Sequence, residues 1–284
     1  MLRHASLAMN STTPPAALAA PVPVAQVPPQ PSARLAAALE AAEAAARVIR
    51  ALYQQNVAVQ VKADKSPVTE ADVQSEKVIR AVLAARFPED GFFGEETGSE
   101  RRDAEYLWLV DPIDGTKAFV REYPMFSTQI GLMHRGRLVL GVSSAPVYGE
   151  LAWAERGQGA WLNGQRLHVS NIATLEDAAL SAGNLKTLAS SAQWGAYGAL
   201  VARLSRIRGY GDFLHYHLLA AGKVDAVVES DVNILDIAAL VTIVEEAGGR
   251  FTDLSGGEVG VDTTTVLATN GVLHTTVREA IGFG

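Results

Sequence analysis

Residues 106–116 read Tyr-Leu-Trp-Leu-Val-Asp-Pro-Ile-Asp-Gly-Thr. The aromatic and aliphatic run Tyr106 to Val110 ends on Asp-Pro, which predicts a short buried strand. Asp111 and Asp114 then lie three residues apart on a turn, where two carboxylates can converge on one face and suit hard cations that share oxygen ligands. Pro112 fixes φ and donates no hydrogen bond, which helps to hold a tight turn and leaves the Ile113 carbonyl to point at such cations. Gly115 lets the backbone approach a ligand closely. A helix starting just after Thr116 would turn the amides of Gly115 and Thr116 toward an anion at its positive end. An isolated Asp-x-x-Asp is mostly an ordinary turn, whereas the full string reads as acid ligands and an anion cradle in one place.

Outward from this stretch the pattern is regular. Upstream, the Ala-rich segment Arg34 to Tyr53 carries Leu, Val and Ile at helical spacing, and a second helix is predicted from Glu70 to Arg86, with Thr69 as N-cap and Pro88 closing it. Gly-Phe-Phe-Gly-Glu-Glu at 91–96 reads as another short strand. Downstream, strand-like runs at 127–134, 137–147 and 150–156, separated by Arg135-Gly136 and Tyr148-Gly149, suggest an antiparallel sheet. Asn163-Gly164 adds a hairpin turn. Beyond about residue 172 the texture changes to strand–helix alternation, ending in a helix from Asp236 that Gly248 and Gly249 punctuate. The fold class is therefore mixed α/β, and the expected organisation is a disordered Ala/Pro-rich tail at 1–32, an α+β metal-binding part at 33–170 and an α/β substrate-specificity part at 171–284.

Composition narrows the chemistry. The chain has 284 residues, is 48% hydrophobic and carries a formal charge of −7, with no run of Lys or Arg long enough to form a nucleic-acid or lipid-binding patch. A small ligand is expected instead. The absence of cysteine removes thiolate catalysis, cysteine-ligated zinc and disulfides. No apolar stretch reaches the roughly 18 residues of a membrane span, and the prolines of the first 32 residues would break a secretory signal, so a cytoplasmic protein is expected.

Two further acidic segments complete the pattern, Gly94-Glu95-Glu96 and Asp236 at the head of the last long helix. Alone, the first reads as a solvated strand end and the second as a helix cap. Together with Pro67-Val68-Thr69-Glu70-Ala71-Asp72, the Asp111–Thr116 string and Glu245-Glu246-Ala247-Gly248-Gly249, the ordered set resembles the inositol-monophosphatase family over nearly all of residues 34–284. The resemblance implies a layered αβαβα sandwich, a homodimer, and phosphate-ester hydrolysis by water activated on two or three Mg²⁺ ions, often inhibited by lithium. It implies that Glu95, Asp111 and the Ile113 carbonyl hold the activating metal, that Asp111, Asp114 and Asp236 hold the second, and that a weaker third sits beside Glu95. Asp72 would accept a hydrogen bond from Thr116, and with Glu95 and Thr116 it would position the attacking water, while Asp114, Gly115 and Thr116 meet the phosphate. A phosphate monoester dianion repels hydroxide, and clustered divalent charge answers that repulsion and keeps the carboxylates ionised. One departure is Leu235, where the family usually carries Trp before the helix-opening aspartate. A smaller side chain there is expected to loosen the seat of Asp236.

For the substrate, Arg208 to Phe213, Tyr216 and Thr116-Lys117-Ala118-Phe119 look more like the histidinol-phosphate phosphatase branch than the inositol branch. Asp212 and Glu229 could complement an amine and an imidazole. Asp212 reads equally as the cap of a helix beginning at Phe213. The alternatives are an inositol-1-phosphatase, a 3′-phosphoadenosine phosphatase, disfavoured by Ala118, and a metal-binding relative without turnover. His134, His168, His215, His217 and His274 show no ligand spacing and read as packing or surface residues.

Overall fold

The computed structural model describes residues 28–55, 59–61 and 67–283. Most of the expected tail, 1–27, lies outside the described residues; residues 28–32 form no helix or strand. Ser32 then accepts a hydrogen bond from the Leu35 amide at 3.1 Å and opens the first helix, Ala33–Leu52.

Five layers stack in the order helix, sheet, helix, sheet, helix. Among the described residues the larger sheet has eight strands, antiparallel except where Gly91–Gly94 runs parallel to Tyr106–Asp114. Alternation along Tyr106–Asp114 shows why both faces are covered. Trp108 and Val110 join Leu35, Ala38, Ala41, Ala45, Ile79 and Leu83 of the outer helices Ala33–Leu52 and Glu70–Arg86, whereas Leu107 and Leu109 point to the opposite core. There they meet the helices Asp212–Ala220 and Ile234–Glu246 and, beyond them, Val227, Val266 and Ala268 of the five-stranded sheet. The alternate residues of the same strands, Ala226, Val228 and Leu267, face the outermost helices, Trp194–Val201 and His274–Ile281. Period-two patterning thus feeds two cores from one strand, the signature of a sheet buried on both sides.

The Ile234–Glu246 helix sits unusually close to the large sheet. A Cβ on Gly131 would lie 2.7 Å from the Ala238 Cβ, and one on Gly141 would lie 2.1 Å from the Ala239 carbonyl oxygen. Only glycine on the strands facing alanine on the helix allows this approach, and it brings the helix's first turn to the end of the Tyr106–Asp114 strand.

Several expectations shift by a residue or two at element ends. The Asn163-Gly164 hairpin forms as expected between Gly159–Leu162 and Gln165–Arg166, with φ 48° and 78° at the two turn residues. The Asp111–Asp114 stretch is a larger correction. It does not leave the sheet as a turn: the strand continues through Asp114, and its register slips there, with Asp111 opposite Gln129 but Asp114 opposite Ser127. The physical reason is a β-bulge. Pro112 has no amide to give a ladder, so one extra residue is accommodated at that point and the two carboxylates are re-aimed.

Candidate active site

The bulge, the two closely packed helices and the end of the Ala226–Ser230 strand enclose a cleft of about 450 Å³. Glu95, Asp111, Ile113, Asp114, Gly115, Thr116, Asp212, Glu229 and Asp236 all line it, and Tyr216 and Asn184 join them. Asp72, the remaining residue expected at the site, lies just behind Thr116.

Carboxylate oxygens of Asp111, Asp114 and Asp236 fall within 4.8 Å of one another. Burial pushes Asp111 and Asp114 well above the usual carboxylate range. Neighbouring acids push the same way, Glu95 first for Asp111 and Asp212 first for Asp114. Burial takes Asp236 up to about 7, against two hydrogen bonds that pull it down. An oxygen-only set of mutually repelling carboxylates fits a hard divalent cation, whose charge would replace the protons they otherwise take up.

Two of the carboxylates are aimed by the same device. Thr69 caps the Glu70–Arg86 helix and Asp72 closes a capping box, accepting from the Thr69 amide at 2.8 Å and the Thr69 hydroxyl at 2.6 Å. Asn233 caps the Ile234–Glu246 helix, and Asp236 accepts from its amide at 2.9 Å and its side-chain nitrogen at 2.7 Å. Asp236 is therefore the third helical residue and not the opening one. The seat of Asp236 rests on this box, and Leu235 is 4% exposed within the central core, so the expected loosening has no counterpart in the packing.

Asp111 is oriented from its own strand, its Oδ1 accepting from the Ile113 amide at 2.9 Å. Thr116 lies 2.9 Å from Asp72 Oδ1 and 3.0 Å from the Ile113 carbonyl. A hydroxyl has one proton, and a carboxylate is the stronger acceptor, so the Ile113 carbonyl keeps lone pairs for a cation. Gly115 adopts φ 92° with the Met125 carbonyl 2.7 Å from where a Cβ would be, a place for glycine alone. The helix that follows, Thr116–Val120, is only five residues long.

Elsewhere in the lining, Glu229 Oε1 accepts from the Asn184 amide at 3.1 Å and Oε2 from the Tyr216 hydroxyl at 2.8 Å. Burial alone would raise Glu229, but His215, Tyr216 and the Asn184 amide outweigh it and hold the group below its ordinary value. Asp212 moves oppositely, pushed up to about 6 by burial and by Glu229. It caps nothing. Gly211 is the N-cap, no side-chain cap hydrogen bond is made, and Asp212 takes the left-handed φ of 44° inside the first turn. Strain of that kind in a non-glycine residue clusters at functional sites.

Sequence reasoning missed Glu76. Glu76 is wholly buried and accepts from the amides of Glu96 at 2.8 Å and Thr97 at 2.6 Å, which pins the loop carrying Glu95. The signal was present, since Glu76 follows Asp72 by one helical turn on a face otherwise apolar at Ile79 and Leu83. His215, expected as packing, lies with Nε2 3.2 Å from Glu229 Oε2.

The model of the inositol monophosphatase family matches residues 30–282. A histidinol-phosphatase of Mycobacterium tuberculosis is 41% identical over 231 residues, 80% of this chain and 88% of that protein. An inositol-1-monophosphatase of Mesorhizobium japonicum is 34% identical over 232 residues, 80% of this chain and 87% of that protein. Among solved structures, the extragenic suppressor protein suhB from Bartonella henselae superposes with a TM-score of 0.82 at 33% identity, covering 89% of this chain and all of the other. Among the described residues no helix is long and apolar enough to cross a membrane.

Proposed function

The chain belongs to the inositol monophosphatase family, whose members named above include phosphatases of small phosphate monoesters, and on that premise we propose that it is a Mg²⁺-dependent phosphomonoesterase whose substrate is L-histidinol phosphate. The observation that carries the substrate is that one cleft is lined by three clustered carboxylates and, beyond that trio, by Asp212 and Glu229. An ester whose far end bears an amine and an imidazole gains from those two acids, and a neutral polyol gains far less. The 41% identity to a protein named histidinol-phosphatase supports the same choice.

Asp111, Asp114, Asp236, Glu95 and the Ile113 carbonyl are the residues that would hold the ions. Bound there, divalent ions supply the charge that lowers the pKa of an attacking water and neutralises the phosphate and the departing oxygen. The chain's own groups do the positioning. Thr116 donates to Asp72, which leaves its oxygen lone pairs to accept a proton of the attacking water, and the capping box holds Asp72 against rotation. Glu95 supplies a second acceptor for that water. The amides of Gly115 and Thr116 receive phosphate oxygens, and the 171–284 segment contributes substrate choice through Asp212 and Glu229.

A phosphate-release assay over histidinol phosphate, inositol 1-phosphate and 3′-phosphoadenosine 5′-phosphate, with Mg²⁺ titrated, tests the reading. The expected result is Mg²⁺-dependent release with the highest kcat/KM on histidinol phosphate. Preference for inositol 1-phosphate, the reading favoured by the relatives named for that activity, would replace the substrate and keep the reaction; no release from any ester would remove both.

A further inference from the structure

Resting on the reading that Asp212 and Glu229 meet the substrate's cationic end, we propose that His215 is the positioning residue of that end: it holds Glu229 as a fixed anion and so sets the preference for a cationic phosphate ester. His215 is fully buried; its Nε2 makes no hydrogen bond to any of the described residues, and it stands at ion-pair distance, 3.2 Å, from Glu229 Oε2. Its other nitrogen lies 3.5 Å from Ser181 Oγ. That hydroxyl oxygen already accepts the Tyr210 amide at 3.2 Å, so its own proton is free to go to His215 Nδ1. That donation would leave the ring proton on Nε2, the nitrogen beside Glu229.

A packing histidine has no need of this arrangement. Glu229 is wedged from the opposite side, since a Cβ on Gly183 would lie 1.9 Å from Oε1, and Asn184 and Tyr216 fix one oxygen each. Glu229 raises the cost of charge on Asp212, and His215 opposes it, favouring the charged form of both acids. Without the Nε2–H, two buried acids facing one cleft would repel, and one would take a proton and lose its attraction for a cation. With it, both remain available to the ligand.

The test is steady-state kinetics with Mg²⁺ saturating, on histidinol phosphate and inositol 1-phosphate, for wild type, His215→Phe, His215→Asn and His215→Gln. Phe removes the donor and Asn is too short to reach Glu229; if the Phe variant does not fold, Asn carries the same comparison. Gln can present a donor near the position of Nε2. The expected result is a loss of about tenfold or more in kcat/KM for histidinol phosphate, the size of a lost charged hydrogen bond, appearing in KM, with inositol 1-phosphate changed by less than about twofold and Gln restoring most of the loss. In a Glu229→Gln background the same His215 substitutions should have no further effect, because the group they act through is gone. Equal losses on both substrates, or an undiminished effect in that background, would overturn the proposal while leaving the functional reading intact. A wild type inert on histidinol phosphate overturns that reading and this inference with it.

Discussion

Asp236 and Asp212 are both acids in the first turn of a helix buried between the two sheets, and both are pushed up, to about 7 and about 6. Their backbones differ. Asp236 sits in ordinary helical geometry behind Asn233 and closes a capping box, so the fold that stabilises the helix also aims the carboxylate. Asp212 stands at φ 44° behind an uncapped Gly211 and contributes no cap. The first position serves the helix cap and the cleft at once. The second has no cap that accounts for its left-handed backbone, which is the contrast behind the substrate role proposed for Asp212.

Breaking the carboxylate cluster should have the largest effect. Asp111→Asn removes the charge central to the cluster, and turnover is expected to fall by about a thousandfold or more with circular dichroism and melting behaviour retained. Activity within about tenfold of wild type would detach the cluster from the chemistry.

The next effect is on stability and pH. In metal-free protein the raised Asp111, Asp114 and Asp236 carboxylates bind protons in the fold at a pH where the unfolded chain has released them. Their contribution is favourable at low pH and is lost as pH rises through the folded values, about 7 for Asp236. Thermal stability with chelator should therefore rise as pH falls from about 8 to 6.5, the lower limit chosen because His274, held down to about 4 by burial, starts to destabilise the fold below its ordinary 6.5. Excess Mg²⁺ should add about 5 °C or more and flatten the pH dependence. A melting temperature indifferent to Mg²⁺ at pH 8 would mean that the carboxylates do not share an ion.

Leu235→Trp probes whether the region behind Asp236 is loose. Because Leu235 is already packed in the central core, the larger ring should overfill it and destabilise by about 1–3 kcal/mol with no gain in Mg²⁺ affinity. Tighter Mg²⁺ binding in this variant would restore the view that leucine leaves Asp236 poorly seated.

The smallest effects sharpen the comparison itself. Asn233→Ala should cost about 1 kcal/mol in urea unfolding and weaken Mg²⁺, since it removes a cap and an orienting donor together. Asp212→Gly should move the other way by about 1 kcal/mol, because glycine accepts φ 44° without strain and a buried charge is removed. Destabilisation by the glycine would show that Asp212 makes contacts which offset its backbone.

Much of this architecture could be read from the chain. The Glu70–Arg86 helix, its Thr69 cap and the Asn163-Gly164 hairpin follow from local rules that tertiary packing did not override. The bulge at Asp111–Asp114 did not, because a proline after an aspartate signals a turn equally well, and only the neighbouring strand decides whether pairing resumes. At the site, the acids were readable as a set through resemblance, but what aims them was not: Asp236 as third residue behind Asn233 depends on where the helix starts, the least certain feature of any periodic pattern. Glu229 and His215 are fourteen residues apart in sequence, on a strand and a helix whose juxtaposition no spacing encodes.

The ratio of kcat/KM for histidinol phosphate to that for inositol 1-phosphate, measured in wild type and in Asp212→Asn, tests the proposed substrate role of Asp212 most directly, because losses of stability or metal common to both substrates cancel from it. The account predicts a wild-type ratio well above one, lowered in the variant by about 1–3 kcal/mol of discrimination, the range for a charged hydrogen bond. A ratio that is unchanged by the substitution would contradict it.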